Sequence, residues 1–138
     1  MNLLGLDQIG IGKLGGLDKI FPFSINNQNI KSLVNAYVRN EILPEALANK
    51  AIGQWDVSRV TDMHNLFSEC RNFNKPLNDW NVSKVTDMRN LFWACANFNQ
   101  PLNKWNVSNV TTMSSMFYKC VSFNQPLDTW NVSKVKVM

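Results

Sequence analysis

Apolar and polar residues recur in a fixed order with a period of 25 positions from Trp55 onward. Trp55, Trp80, Trp105 and Trp130 each open the same phrase, written WDVSRVTDM, WNVSKVTDM, WNVSNVTTM and WNVSKVKVM. Cys70, Cys95 and Cys120 fall in a second column and Phe73, Phe98 and Phe123 in a third. Pro76, Pro101 and Pro126, each followed by leucine, form a fourth. A period of this length marks units too small to bury their own apolar face, which must stack on their neighbours.

Inside one repeat the apolar spacing changes halfway. Trp80 and Val82 alternate with Asn81 and Ser83, the pattern of a short extended segment with one buried face. Val85, Met88, Leu91, Phe92 and Cys95 then step mostly by three, which predicts a short helix with Thr86 or Asp87 as its N-cap and an end near Asn97. Phe98-Asn99-Gln100-Pro101-Leu102 follows as a turn and an extended return, because proline biases the residue before it away from the helical region. Neighbouring units stacked about 5 Å apart through parallel strand pairing would align the tryptophan, cysteine and phenylalanine columns as continuous ladders. Truncating one such buried Trp or Phe to Ala costs about 3–5 kcal/mol.

Before the repeats the pattern differs. Ile30, Leu33, Val34, Tyr37 and Val38 lie on one face of an amphipathic helix, with Asn29 as the expected N-cap. A second helix is predicted with Pro44 in its first turn, Ala46, Leu47, Ala48 and Ala51 inside and Gly53 at its end. The resulting division is a Gly-rich arm or loosely docked segment over 1–28, a helical N-terminal cap over 29–54, and three full repeats plus a partial fourth over 55–138.

Composition narrows the class of protein without naming a function. The 138 residues suit one domain, and 45% hydrophobic with 17% charged residues is ordinary for a soluble globular chain. The net charge of +4 is scattered and forms no Lys/Arg run, so a nucleic-acid partner is not expected. No basic, apolar leader and no apolar run of membrane-spanning length occur, so neither a signal peptide nor a membrane span is expected. Three cysteines at repeat spacing read as a core column of small apolar residues, although adjacent repeats would bring them within disulfide reach.

The consensus W-N-V-S-x-V-T-D-M, followed by F-N-Q-P-L, resembles the 25-residue repeat of the BspA-like surface-protein family, a divergent relative of leucine-rich repeats. The similarity covers about residues 30–138, and the entry phrase A-I-G-Q-W-D-V-S resembles the leader that precedes the first repeat there. Lys136 and Val137 depart from the Thr-Asp of the phrase. The resemblance implies adhesion or protein interaction without catalysis, and a cell-surface or virion setting. Together with the repeat pattern it gives the expected fold class: an α/β repeat protein, a short leucine-rich-repeat-like solenoid with an N-terminal helical cap.

Chemistry-bearing constellations are sparse. His64 is the sole imidazole, and its column holds Arg89 and Ser114 in the other repeats, so no base or nucleophile pair is expected and no enzyme. Gly10-Ile11-Gly12-Lys13-Leu14-Gly15 matches a dinucleotide-loop spacing without a preceding strand, which favours a flexible arm and no cofactor. Asp62 and Asp87 would be neighbours able to share a cation, but Thr112 and Val137 break the column, so no metal is expected. Asn81, Asn106, Asn131 and Asn109 begin glycosylation sequons, yet short polar side chains that hold turns explain the same periodicity.

Variation among the repeats leaves one surface to consider. The columns Arg59/Lys84/Asn109/Lys134, Asp62/Asp87/Thr112/Val137, His64/Arg89/Ser114, Ser68/Trp93/Tyr118, Glu69/Ala94/Lys119 and Arg71/Ala96/Val121 are expected to face solvent. Trp93 and Tyr118 share one column and should stack, flanked by Arg89 and Lys119, with Lys84 and Arg59 nearby. Aromatic and Arg side chains dominate interface hot spots. The expectation is a non-catalytic interaction or adhesion module that binds a protein through this face. The alternative is a structural subunit of a capsid or surface layer, self-associating through its arm and last coil.

Overall fold

The computed structural model describes residues 22–138. The glycine-rich motif and most of the expected arm lie outside these residues. Among them, regular helix is confined to α1 (Ile30–Val38) and α2 (Glu45–Ala48), followed by a 3-10 turn at Ile52–Gln54. From Trp55 onward the chain is turns and irregular extended segments. Single-residue parallel bridges join Asp62 to Asp87, Asp87 to Thr112, and Thr112 to Val137.

The expected α/β leucine-rich-repeat-like solenoid with an N-terminal helical cap is therefore corrected. Among the described residues the repeats contain no helix, no strand and no sheet, and the chain is mostly irregular. The reason lies in the backbone of the segment predicted to be helical. Asn65, Asn90 and Ser115, and again Glu69, Ala94 and Lys119, adopt φ between 55 and 64°. A left-handed residue every fourth position cannot belong to a right-handed helix.

Hydrogen bonds show what replaces it. The N–H groups of Met63, Asn65, Phe67 and Glu69 donate to the carbonyls of Asp87, Arg89, Leu91 and Trp93 in the next repeat. Those of Leu66, Ser68 and Cys70 donate instead to Met63, Asn65 and Phe67, three residues back. Met88, Asn90, Phe92 and Ala94 bond the third repeat in the same way. Odd and even amides thus alternate between a neighbouring repeat and a local turn, which satisfies the buried backbone without a helix. Apolar residues three apart mark successive turns.

The Trp-x-Val segment is also not strand; it is irregular and leads into a turn. Ser58, Ser83, Ser108 and Ser133 donate their N–H to the side-chain oxygen two residues earlier, on Asp56, Asn81, Asn106 and Asn131, at 3.0–3.1 Å. These Asx turns offer the backbone a partner that competes with a strand ladder. Asp87 does the same for Arg89, at 3.0 Å, rather than capping a helix.

The repeats stack around a continuous aromatic core. Phe67, Phe92 and Phe117 lie with ring centroids 5.6 and 5.8 Å apart, and Phe73, Phe98 and Phe123 at 6.0 and 5.9 Å. Trp105 and Trp130 are parallel at 6.4 Å. Three tryptophans also reach back along the stack: the indole N–H of Trp80 donates to Ile52 O at 2.7 Å, and those of Trp105 and Trp130 to Leu77 O and Leu102 O at 2.9 Å. Trp55 is equally buried, but its indole N–H has no partner among the described residues. Burial is complete for Phe92, Cys95 and Phe98 in the second repeat and partial for Phe117, Cys120 and Phe123 in the third.

The three thiols are free. Cys95 and Cys120 donate to Phe67 O and Phe92 O at 2.9 and 2.7 Å. Burial pushes all three thiols above the ordinary cysteine range, which keeps them protonated and unreactive.

Helix α1 contributes Ile30, Leu33 and Val34 to the same core, and Tyr37 meets Trp55 edge-on at 5.8 Å. Asn29 precedes α1 but does not cap it; its side chain accepts from Asn26 N and donates to Ser24 O. The second helix is shorter than its apolar pattern suggests and ends before Ala51. Gly53 is not its left-handed cap but sits inside the 3-10 turn. A Cβ there would lie 2.5 Å from Pro76 O, so glycine is required by the close approach of the first repeat.

Candidate functional site: the variable surface of the repeats

Trp93 and Tyr118 occupy corresponding turns of adjacent repeats, one residue before the left-handed Ala94 and Lys119. Their rings stack at 5.9 Å with 21° between planes, and Lys119 Nζ lies 5.6 Å from the Tyr118 ring centroid. Tyr118 is 53% exposed and Trp93 half-buried. The first repeat carries only Ser68 in this column, so the aromatic ridge starts at the second repeat.

Arg89 turns toward its own repeat. Its guanidinium pairs with both oxygens of Asp87, at 2.7 to 3.0 Å. Desolvation pushes the Asp87 carboxyl upward, but the Arg89 side-chain and backbone hydrogen bonds and its charge outweigh this and hold it below the usual range. Arg59, Lys84, Asn109 and Lys134 are all exposed, and Lys134 Nζ bonds Asn109 Oδ1 at 3.0 Å. Not every variable column faces solvent: Ala94 is buried, and Asp62, Asp87 and Thr112 are half-buried along the bridge ladder.

One group that sequence reading did not join is the trio Asp62, His64 and Asp87, whose ligand atoms lie within 4.8 Å of one another. His64 Nδ1 sits 2.6 Å from Asp62 Oδ1. These are the residues best placed to share a divalent cation, although each carboxylate already has a partner, in His64 and Arg89. His64 was legible as a unique residue, but its pairing with Asp62 depends on an Asx turn that a helix reading hides.

No helix among the described residues is long and apolar enough to cross a membrane. Compared with known proteins, the chain matches over residues 25–138 the model of a family described as "Mycoplasma protein of unknown function, DUF285". No curated protein and no solved structure matches it.

Proposed function

The chain belongs to the DUF285 family, the BspA-like repeat family in general terms, and on that premise we propose that it is a non-catalytic interaction or adhesion module. It binds a protein partner through the variable face of its stacked repeats. The observation that carries this reading is the Trp93–Tyr118 pair, stacked and displayed on the outside of a chain whose other large aromatics lie mostly in the core. Rigid aromatics lose little entropy on binding and contribute disproportionately to interfaces. Lys119 beside Tyr118, with exposed Lys84 and Arg59, suits a partner surface with negative charge.

A photo-crosslinking residue placed at Tyr118 in the full chain, compared with one at exposed Thr129, tests this in extracts of the source cells. A discrete crosslinked species from position 118 alone, lost in Trp93→Ala at unchanged melting temperature, is the expected result. Equal crosslinking from both positions would remove the basis for the proposal. A product of twice the chain mass would transfer the same surface to self-assembly.

A further inference from the structure

Between Asn97 and Gln100, and again at Asn124 and Gln125, side-chain hydrogen bonds to the preceding repeat run in one direction. Asn97 Nδ2 donates to Asn72 Oδ1 at 3.4 Å. Asn99 N and Gln100 Nε2 both donate to Asn74 Oδ1, at 2.9 and 3.0 Å. One repeat later, Asn124 N and Gln125 Nε2 converge on Asn99 Oδ1 at the same distances. In each of these bonds the later repeat gives the donor and the earlier one the acceptor; farther along, Asn78 Nδ2 donates to Asn103 Oδ1 in the opposite sense.

At the first repeat this leaves a set of donors without acceptors. Asn72 Nδ2, Asn74 N–H and Lys75 Nζ stand at the donor positions, and no described residue bonds them. Asn72, Asn74 and Lys75 line a groove of about 970 Å³ between the first repeat and the segment that leaves α1. Lys75 stands where the later repeats have Gln100 and Gln125, so an amide donor has become a cation. Lys50 and Arg71 line the same groove, opposed by Glu41 and Glu69. Val38 and Ile42 form an apolar flank, with Ile42 97% exposed.

We propose that this groove docks an acidic peptide segment of a protein partner. One Asp or Glu carboxylate takes the place that the Asn74 and Asn99 carboxamides hold in the later repeats, accepting from Asn74 N–H and Lys75 Nζ. The ligand set is thus seen twice in the molecule with an internal acceptor and once without. A carboxylate suits the third position better than an amide because all the convergent groups are donors and one is charged. Apolar residues beside the carboxylate contact Val38 and Ile42. This site is separate from the Trp93–Tyr118 surface and does not depend on it.

The test is a titration of the isotopically labelled full chain with the blocked tripeptide Leu-Asp-Leu, followed by amide NMR. Blocked Leu-Lys-Leu and free acetate serve as comparisons. The Asn74 amide should shift with the acidic peptide while the Asn99 and Asn124 amides, already bonded, stay in place. Lys75→Glu, at an exposed position outside the core, should weaken binding about tenfold or more, and Lys75→Gln should weaken it less. A still Asn74 amide at millimolar peptide, or an equal response to the lysine peptide, overturns the proposal. If acetate reproduces the whole response at equal concentration, the site takes a bare anion and the peptide assignment is wrong.

Discussion

Individual residues in this chain act chiefly through where they send a hydrogen. The four tryptophans that open the repeats look equivalent in sequence, yet three indoles reach a carbonyl of the preceding segment and Trp55 reaches none among the described residues. Trp80→Phe should therefore be more destabilising than Trp55→Phe by about 1–2 kcal/mol, measured by urea unfolding. Equal costs would mean that the Trp80 bond contributes nothing net. Asp56 and Asp87 make a second residue-scale prediction. The Ser58 hydroxyl and amide lower the Asp56 carboxyl, and Arg89 overcomes desolvation to lower that of Asp87. Both are then more acidic folded than unfolded, so their ionisation stabilises the fold above the unfolded value near about 4. That contribution disappears as pH falls through the lower folded values. Melting temperature should drop as the pH falls below about 4, and Asp87→Asn should flatten part of that drop.

Elements are where sequence and structure part most clearly. The period, the ladder columns and the apolar face of α1 were legible, because burial is written in residue type and spacing. The turn architecture was not. Steps of three from Val85 to Cys95 fit a helix and a series of turns equally, and the deciding facts are the left-handed Asn90 and Ala94. Asn tolerates that conformation and so left a trace, whereas Ala94 gives no local warning. Of the surface, Trp93 and Tyr118 could be found from column comparison alone, but the Asp62–His64 contact and the Asn72/Asn74/Lys75 donors could not, since both depend on how turns orient side chains. Gly53 illustrates the same limit: it reads as a helix stop, but its role is to admit Pro76 O. Gly53→Ala should cost about 1–3 kcal/mol, seen as a lower denaturant midpoint. No loss of stability would show that the 3-10 turn can move away from the first repeat.

At the scale of the molecule, burial falls off from the second repeat to the third. Phe92, Cys95 and Phe98 are fully buried, with aromatic rings on both sides of the two phenylalanines, while Phe117, Phe123 and Trp130 are only partly covered. Native-state hydrogen exchange should accordingly find the slowest amides at Phe92 and its neighbours, and faster exchange from Phe117 to Val135. Uniform protection across the three repeats would contradict a graded core.

The one-way bonding of Asn74, Asn99 and Asn124 gives the array a grammar for changing length. A duplicated copy of residues 80–104, inserted behind the original, would find its acceptors in the copy before it and offer the same acceptors to the copy after it. A duplicated first repeat would instead add a second Ser68, leaving the aromatic ridge no longer, and would set a second Lys75 where the later repeats have Gln100 and Gln125. Copies of the second repeat would thus extend both the amide bonding and the aromatic ridge unchanged, and copies of the first would not.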